Sequence, residues 1–231
     1  MIPFDFNPLG IDGKGYAKTP QLWIEADSWG RSTWKNKGNG GYNLDVYGNS
    51  YAGTVSGKAI VSPFRAKTER NVVGTGSFTI EAVVLWNATS NANFLICQRE
   101  KTTSPVPDGS MQIAYTSSGW LGFYLYHPDG ENMVTYEVGD PKVIDGEIQY
   151  IMCRWDAENG NYTKQINDNA VTRNATGFSC SDNTFGLGYA YFNGGNRFSG
   201  SLYSLRIYQR ALSDAEAANN QALDRKRFPF A

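Results

Sequence analysis

The sequence predicts an all-β fold in which two antiparallel sheets pack as a sandwich, followed by one short C-terminal helix. Strand-like runs recur along the 231 residues, and Phe78, Ile80, Ala82 and Val84 show the alternation of a strand with one buried face. Asp-Gly and Asn-Gly dipeptides, which favour tight hairpin turns, separate many of these runs. The sequence shows no repeat of fixed period, which excludes propellers and solenoids.

The C-terminal segment predicts a strand, a tight connection and a helix. Between residues 202 and 208, Tyr203, Leu205 and Ile207 are predicted to point one way and the intervening residues the other. Ser213 lies three residues before Glu216, the spacing of a capping box at a helix start. The chain is therefore expected to end as a helix that begins after Ser213.

This segment resembles the C-terminal pattern of the concanavalin A-like lectin/glucanase superfamily, in its laminin-G-like branch. The shared features are an alternating strand ending in Arg-Ile-Tyr, then Arg-Ala-Leu-Ser, an acidic pair and a terminal Arg-Phe. Five further phrases match in the expected order, at residues 22–27, 34–40, 76–83, 144–151 and 185–188. The resemblance implies a concanavalin A-like jelly-roll sandwich.

Composition excludes two classes of partner. A net charge of −1 gives no electrostatic footprint for nucleic acid. No apolar run approaches the roughly 20 residues that cross a bilayer. We therefore expect neither nucleic-acid binding nor membrane insertion.

Two units are predicted along the chain. Residues 1–20 are rich in proline and glycine and lack periodicity, which is typical of an arm, whereas residues 21–231 form the sandwich. Phe4, Phe6 and Leu9 are the apolar residues expected to dock the arm onto the body or onto other protein subunits of an assembly.

The N-terminus and the cysteines bear on localisation. Residues 1–10 lack the basic stretch and apolar core of a secretory signal peptide, so either a signal was removed earlier or the protein leaves its cell by another route. Cys97 and Cys153 lie in apolar runs, which favours buried thiols; a disulfide that leaves one thiol free is the alternative. Buried thiols favour folding inside a cell.

The sequence lacks the catalytic pattern that the resemblance implies for β-glucan hydrolases. Those enzymes carry carboxylates at alternating positions of one strand, as retaining hydrolysis requires. The nearest carboxylate pairs are Glu25/Asp27, Asp129/Glu131 and Asp145/Glu147, and none has a third partner on the same strand. We therefore expect no enzymatic activity, and a glycoside hydrolase is the least favoured alternative.

Carbohydrate recognition is the favoured function. Sugars stack their C–H faces on aromatic rings and pair their hydroxyls with amides and charged groups. For each aromatic residue a packing role in the core is the alternative. The predicted contact residues lie in two stretches and are Tyr191, Asn193, Asn196 and Arg197, with Trp29 and Arg31.

Calcium is a candidate ligand, because the laminin-G-like and concanavalin A-like domains that this sequence resembles often hold this ion near the rim of the sandwich. Calcium takes six to eight oxygen ligands. Asp156, Asn159 and Asn161 form a loop that could supply several of them, and a solvated turn is the alternative.

Together these features predict a glycan-recognition module displayed on a virion or cell surface. The predicted N-terminal arm, the buried thiols and the lack of a signal peptide are typical of a bacteriophage virion protein. Such a protein is made in the cytoplasm and attached by its arm to a fibre, tail or capsid. Residues 224–228, near the C-terminus, resemble the laminin-G-like tails common in gut bacterial and phage surface proteins. The competing class is a purely structural assembly protein that uses the sandwich for protein contacts.

Overall fold

Two antiparallel sheets face each other, and one helix covers the outer face of the first. The computed structural model describes residues 16–17, 20–30, 32–46, 52–87, 93–98, 109–126, 132–134, 139–175, 177–180, 184–189 and 197–230. The elements are β1 (Leu22–Glu25), a one-turn 3-10 helix (Ala26–Ser28), β2 (Thr33–Trp34), β3 (Leu44–Val46), β4 (Ala52–Ser56), β5 (Ala59–Phe64), β6 (Ala66–Thr68), β7 (Phe78–Trp86), β8 (Asn93–Gln98), β9 (Met111–Tyr115), β10 (Leu121–Tyr126), β11 (Asn132–Val134), β12 (Ile148–Asp156), β13 (Asn161–Ile166), β14 (Asn169–Asn174), β15 (Phe185–Leu187), β16 (Gly200–Tyr208) and α1 (Asp214–Arg227).

The described strands form two eight-stranded sheets. The first sheet has the order β14-β13-β12-β7-β16-β5-β4, with β1 also paired to β16, and the second has the order β11-β10-β9-β8-β15-β6-β3-β2. The predicted fold class, two antiparallel sheets with a C-terminal helix, is confirmed. The strands β2, β4, β6 and β14 carry little sequence signal, since they are short or, like β14, largely exposed without an apolar alternation.

The core lies between the sheets and is built from alternate side chains. Ile80 and Ile207 of the first sheet and Ile113 of the second are fully buried. Phe78 meets Phe123 of the opposite sheet edge to face, with ring centroids 6.0 Å apart. Burial of apolar surface, worth about 25 cal/mol per Å², holds the two layers together.

A bulge in β16 breaks the alternation expected for this strand. The register of β16 with β7 shifts between Leu202 and Ser204. Leu202 therefore faces the core together with Leu205. Tyr203 faces outward and packs against Phe228. The prediction that Tyr203 shares a face with Leu205 was wrong, because one extra residue in a bulge reverses the alternation beyond it.

Helix α1 begins as the sequence predicts. The Ser213 hydroxyl accepts a hydrogen bond from the Glu216 amide, and the Glu216 carboxylate accepts one from the Ser213 amide at 2.9 Å. This capping box satisfies two amide groups that a helix start leaves without helical partners. Glu216 also pairs with Arg210 at 2.7 Å, which fixes the tight connection between β16 and α1.

A buried polar network attaches α1 to the first sheet. Arg206 of β16 is 1% exposed and lies between Glu81 of β7, at 3.1 Å, and Asp224 of α1, which accepts two hydrogen bonds from its guanidinium group. Asn220 of α1 donates to Glu81 at 2.9 Å, and the Tyr150 hydroxyl donates to Glu81 at 2.7 Å. The helix therefore sits on the sheet through charged groups as well as apolar contacts.

The charges of this network stabilise each other. Burial alone would lower the pKa of Arg206, but the carboxylates of Asp224 and Glu81 raise it well above its ordinary value. Burial raises the pKa of the Glu81 carboxyl, and the charge of Arg206 opposes that rise. Removal of one partner would leave an uncompensated charge in the interior.

A second buried ion cluster closes one edge of the sandwich. Asp140, in the loop after β11, is 5% exposed and pairs with Lys164 of β13, which is fully buried. Arg173 of β14 pairs with the other carboxylate oxygen of Asp140 at 3.0 Å. The loop is thereby tied to β14, an edge strand of the first sheet, and to its neighbour β13.

The end of the predicted arm contacts the body. Tyr16 and Ala17 are 3% and 1% exposed; the Tyr16 hydroxyl donates to Asp224 at 2.9 Å, and the Ala17 amide donates to the Asn220 side chain at 2.8 Å. Phe4, Phe6 and Leu9 lie outside the described residues, so their docking stays a prediction, as does the boundary at residue 20.

Two further expectations concern the described part of the chain. Cys97, Cys153 and Cys180 are all buried as thiols. Among the described residues, no helix has the length and apolar character needed to span a membrane.

We expect Asp224→Asn to lower the free energy of unfolding by about 3–5 kcal/mol, because Arg206 then loses one of its two buried charge partners. Urea unfolding followed by circular dichroism measures the change. The matched control is Arg225→Ala on the same helix, whose exposed pair with Asp168 is worth at most about 1 kcal/mol. Equal losses in the two variants would contradict the role assigned to the network.

Candidate functional site

A polar cleft of about 590 Å³ opens at one end of the sandwich. It is formed by the residue before β1, the β2–β3 loop, the segment after β6 and the residue after β16. We call it the end cleft; the side chains that line it are those of Gln21, Tyr42, Glu69, Arg70, Asn71 and Gln209.

Gly40 lets the Tyr42 ring form a wall of the end cleft. A Cβ atom at Gly40 would lie 2.4 Å from the Tyr42 ring and 2.5 Å from the carbonyl oxygen of Gln21, closer than real atoms approach. The Gly40 amide donates to the same carbonyl oxygen at 3.0 Å. The ring is thus held against the backbone at the start of β1.

Asn71 is held rigidly at the opposite wall. Its side-chain oxygen accepts hydrogen bonds from the Gly74 amide at 2.8 Å and from the buried Gln98 amide group. Its amide nitrogen donates to the carbonyl oxygen of Cys180 at 3.0 Å. Gln209 in turn donates to the Asn71 carbonyl oxygen at 3.3 Å. The fold therefore fixes this wall before any ligand binds.

Three polar groups of the end cleft are not used by the fold. The Tyr42 hydroxyl is buried and has no hydrogen-bond partner among the described residues. The Gln21 side chain and the exposed Arg70 guanidinium group likewise pair with no described residue. Burial raises the pKa of Tyr42 to about 12, partly offset by the charge of Arg70, so the hydroxyl keeps its proton at neutral pH.

The end cleft therefore offers the groups that recognise hydroxyl-rich ligands. An aromatic ring, planar amides, a guanidinium group and the exposed carboxylate of Glu69 surround one recess. Amides and guanidinium groups can pair with vicinal hydroxyls, while the ring provides a flat apolar wall.

Of the predicted contact stretch 191–197, the structure describes the last residue, Arg197. Tyr191, Asn193 and Asn196 lie outside the described residues, whereas Arg197 is exposed and forms an antiparallel bridge with Tyr189. Tyr189 is buried, and the Arg65 guanidinium group lies 5.2 Å from its ring centroid. Tyr189 thus packs at the base of the stretch, and glycan contacts by residues 191–197 stay a prediction.

The other predicted contact, Trp29, packs in the molecule while keeping part of its surface exposed. Its ring meets that of Trp34 edge to face at 4.6 Å and lies 6.2 Å from the ring of Phe64. Arg31 lies outside the described residues. The structure does not place Trp29 among the residues that line the end cleft, so its role in glycan contact also stays a prediction.

The outer face of the second sheet carries a row of directly paired residues. Across neighbouring strands the row runs Tyr124, Gln112, Cys97, Gly186 and Lys67. Gln112 is 1% exposed, and its amide nitrogen has no hydrogen-bond partner among the described residues. The described central strands β8, β9 and β15 carry no Asp or Glu at all.

Glu25 and Asp27, the carboxylate pair at the end of β1, are held by cations. Lys37 pairs with both, at 3.0 Å from Glu25, and Arg227 pairs with Glu25 at 2.7 Å. Burial alone would raise the pKa of Glu25, but Lys37 and Arg227 hold it below its ordinary value. An ionised carboxylate with two cationic partners is a poor general acid.

The predicted calcium residues lie at the β12–β13 turn. The Asp156 carboxylate accepts hydrogen bonds from the amides of Glu158 and Asn159, both at 3.1 Å, and from the Asn159 side chain at 2.7 Å. These hydrogen bonds hold its pKa below the ordinary value. Asn161 pairs with Asp156 across the hairpin. No group of three or more His, Cys, Asp or Glu among the described residues is arranged to hold a metal ion, and calcium here stays a prediction.

A family model confirms the resemblance found in the sequence. The Laminin_G_3 model, described as concanavalin A-like lectin/glucanases superfamily, matches residues 64–218. The match spans more than half of the chain, and the protein belongs to this family. The search of curated proteins gave no match.

Solved sialidase structures share the fold. The Trypanosoma rangeli sialidase in complex with sialic acid is 10% identical, with a TM-score of 0.62, over 89% of this chain and 33% of that one. The Ruminococcus gnavus IT-sialidase CBM40 bound to α2,3-sialyllactose is 21% identical, with a TM-score of 0.50, over 64% of this chain and 84% of that one. The NanB sialidase of Streptococcus pneumoniae (K499G mutant) is 14% identical, with a TM-score of 0.52, over 64% of this chain and 24% of that one.

At such identities these likenesses show the fold alone. The chain spans 24% of the NanB chain and 33% of the trypanosomal sialidase chain.

Sequence reasoning missed the end cleft. Its side chains come from segments as far apart as Gln21 and Gln209, and no single stretch carries a recognisable motif. The one local signal was the pair of glycines before Tyr42, because consecutive glycines allow close approach of a ring to the backbone.

We expect Glu25→Gln to lower the free energy of unfolding at pH 7 by about 1.5–3 kcal/mol, because charged hydrogen bonds to Lys37 and Arg227 are lost. The folded-state pKa of Glu25 lies below the unfolded value near 4.5, so its contribution is present above that pH and disappears as the pH falls through the folded-state pKa. Urea unfolding at pH 7 and pH 3 should show the difference between variant and wild type shrinking in acid. Glu69→Gln, which alters an exposed carboxylate, is the control; a pH-independent loss in Glu25→Gln would contradict the assignment.

Proposed function

We propose that the protein is a non-catalytic glycan-recognition module and that the end cleft is a contact surface for the glycan. The observation that carries this proposal is the Tyr42 hydroxyl, a buried donor without a described partner, in a recess that also offers the unused side chains of Gln21 and Arg70. Hydroxyl groups of a bound glycan would supply partners for the Gln21 and Arg70 side chains.

The rigidity of the end cleft supports recognition. Asn71 is fixed by hydrogen bonds with Gly74, Gln98 and Cys180, and the Tyr42 ring packs closely against Gly40. Groups that are already ordered lose little conformational entropy on binding, which favours affinity for small polar ligands.

The arrangement of carboxylates supports binding rather than hydrolysis. A retaining glycosidase needs two carboxyl groups about 5 Å apart across the scissile bond. Glu69 is the one carboxylate among the residues that line the end cleft, and the described central strands of the second sheet carry none. A glycoside hydrolase is therefore the weaker proposal.

For the biological setting, we propose display on a surface, with bacteriophage virions as the specific setting: a fibre, tail or capsid decoration protein. The laminin-G-like ending, the buried thiols and the predicted N-terminal arm support this setting. The Ruminococcus gnavus IT-sialidase CBM40, which shares the fold and is bound to α2,3-sialyllactose, supports glycan binding as a use of this fold. Electron microscopy of particles with an antibody against the protein would test the virion placement.

Two earlier predictions remain part of the proposal. The proposed further glycan contacts are Tyr191, Asn193, Asn196 and Arg197, with Trp29 and Arg31. Calcium is proposed at Asp156, Asn159 and Asn161. A purely structural assembly role, with protein contacts alone, is the competing proposal. The structural role would be favoured if the stability of an assembled particle depends on this protein while the folded protein binds no glycan.

We expect Arg70→Ala to weaken glycan binding about tenfold or more, because a hydrogen bond to a charged group contributes about 1.5–3 kcal/mol. Tyr42→Phe should weaken binding about twofold to tenfold, since it removes one neutral donor. A glycan array identifies the ligand, and titration calorimetry with that glycan measures the change.

The matched control is Glu147→Gln, at an exposed turn away from the end cleft, and Arg197→Ala tests the second contact stretch. Weakening by Arg197→Ala alone would move the site to residues 191–197. A folded wild-type protein that binds no glycan on the array would contradict the proposed function.

A further inference from the structure

The second buried ion cluster has a chemistry that goes beyond glycan recognition. We call it the Asp140 cluster; it consists of Asp140, Lys164 and Arg173. The Lys164 amine nitrogen, Nζ, donates a hydrogen bond to Oδ2 of Asp140, and both side chains are fully buried. Among the described residues, Lys164 is the one lysine that is buried. A primary amine is thus held in the interior against a carboxyl group with which it can react.

The buried network around Arg206 does not offer this combination. Its cation is the Arg206 guanidinium group, which lies between Glu81 and Asp224. A guanidinium group keeps its proton in proteins and therefore cannot attack a carboxyl carbon, whereas the amine of a lysine can lose a proton. The reactive pairing among these buried ions is therefore that of Lys164 with Asp140.

The surroundings of Lys164 are apolar. Lys164 lies between Tyr162 and Ile166 on the face of β13 that points into the core, and its Nζ atom lies 5.7 Å from the centroid of the Tyr162 ring. Cys153 of β12 lies directly opposite Lys164 and is fully buried. Burial raises the pKa of the Cys153 thiol to about 12, although the charge of Lys164 opposes the rise. A site of this kind excludes water and disfavours separated charges.

The two oxygens of the Asp140 carboxyl group have different partners. Lys164 contacts Oδ2, whereas Arg173 donates a hydrogen bond to Oδ1 at 3.0 Å. A fixed cationic donor on Oδ1 stabilises the negative charge that collects on this atom when a nucleophile attacks the carboxyl carbon. Arg173 therefore lies where an oxyanion would form, and Oδ2 lies beside the protons of the amine.

The residue after Asp140 removes a competing reaction. An aspartate carboxyl group can be attacked by the backbone nitrogen of the next residue, which closes a cyclic imide. The next residue here is Pro141, whose nitrogen carries no hydrogen, so this ring cannot form. The Asp140 carboxyl group thus has Lys164 as its nucleophilic neighbour.

We propose that Lys164 and Asp140 condense in the folded protein to form an amide crosslink between their side chains. One proton moves from Nζ to Oδ2, which leaves a neutral amine and a neutral carboxylic acid. Nζ then attacks Cγ, and the negative charge on Oδ1 faces Arg173. The Cγ–Oδ2 bond breaks, a second proton passes from Nζ to Oδ2, and one water molecule leaves, so atoms and charges balance.

The fold supplies what this condensation lacks in solution. Groups held in contact react as if each were present at about 10⁵–10⁸ M, and exclusion of water disfavours the reverse hydrolysis. The product also replaces two buried charges by a neutral amide. The crosslink joins positions 24 residues apart and ties the loop after β11 to β13.

Mass spectrometry of the whole folded chain, incubated at neutral pH, tests the proposal without any ligand. We expect most molecules to be lighter than the sequence by one water molecule. Trypsin does not cut after a lysine whose amine is acylated, so digestion should give a branched peptide that joins residues 102–142 to residues 155–173. Complete cleavage after Lys164, with no branched peptide after prolonged incubation, would overturn the proposal.

Two controls separate the crosslink from other losses of water, such as imide formation at the Asp-Gly dipeptides. Lys164→Arg keeps the cation but has no primary amine, so the branched peptide should disappear. Within the wild-type digest the control is Lys37, which pairs with Glu25 and Asp27 but is 26% exposed, so trypsin should cut after it completely. A branched peptide at Lys37 as well, or a crosslink from Lys164 to another carboxyl group, would contradict the role of the Asp140 cluster. Glycan binding affects none of these measurements.

Discussion

The buried guanidinium group of Arg206 is the constraint on which the arrangement of this molecule depends. A charge with 1% exposure is tolerated because Glu81 and Asp224 neutralise it from two different elements, β7 and α1. Asn220 and Tyr16 complete the same network, so one cluster fixes the position of the helix, the central strands and the first described residues. Apolar burial supplies most of the stability, but this network gives the helix one register on the sheet.

The docked helix decides which surfaces remain for ligands. Since α1 covers part of the outer face of the first sheet, binding surfaces are left at the ends of the sandwich and on the second sheet. The end cleft lies at one end of the sandwich. The core holds one of its walls in place, because Asn71 accepts a hydrogen bond from the fully buried Gln98. Recognition at such a place needs no movement of the sandwich, and sequence changes in the loops can alter specificity without cost to the fold.

Four buried carboxylates in the described part of the chain hold elements of the fold together. Glu81, Asp224, Asp140 and Glu25 all lie in ion pairs with lysine or arginine. This use of carboxylates agrees with a recognition module, in which charges hold elements in place while amides, hydroxyls and rings meet the ligand. Proteins of unrelated activity share this scaffold, so the function follows from the site and not from the sandwich.

The sequence by itself determined the all-β class, the principal strands, and the start of α1 at the Ser213–Glu216 capping box. These features depend on side-chain periodicity and on residues three positions apart, which are local and can be read along the chain. Tertiary structure alone decided the outward turn of Tyr203, since a bulge arises from the pairing of β16 with β7 and leaves no mark in the alternation. It also decided the end cleft and the Arg206 network, because residues as distant as Gln21 and Gln209 meet through strand order, which local patterns do not specify.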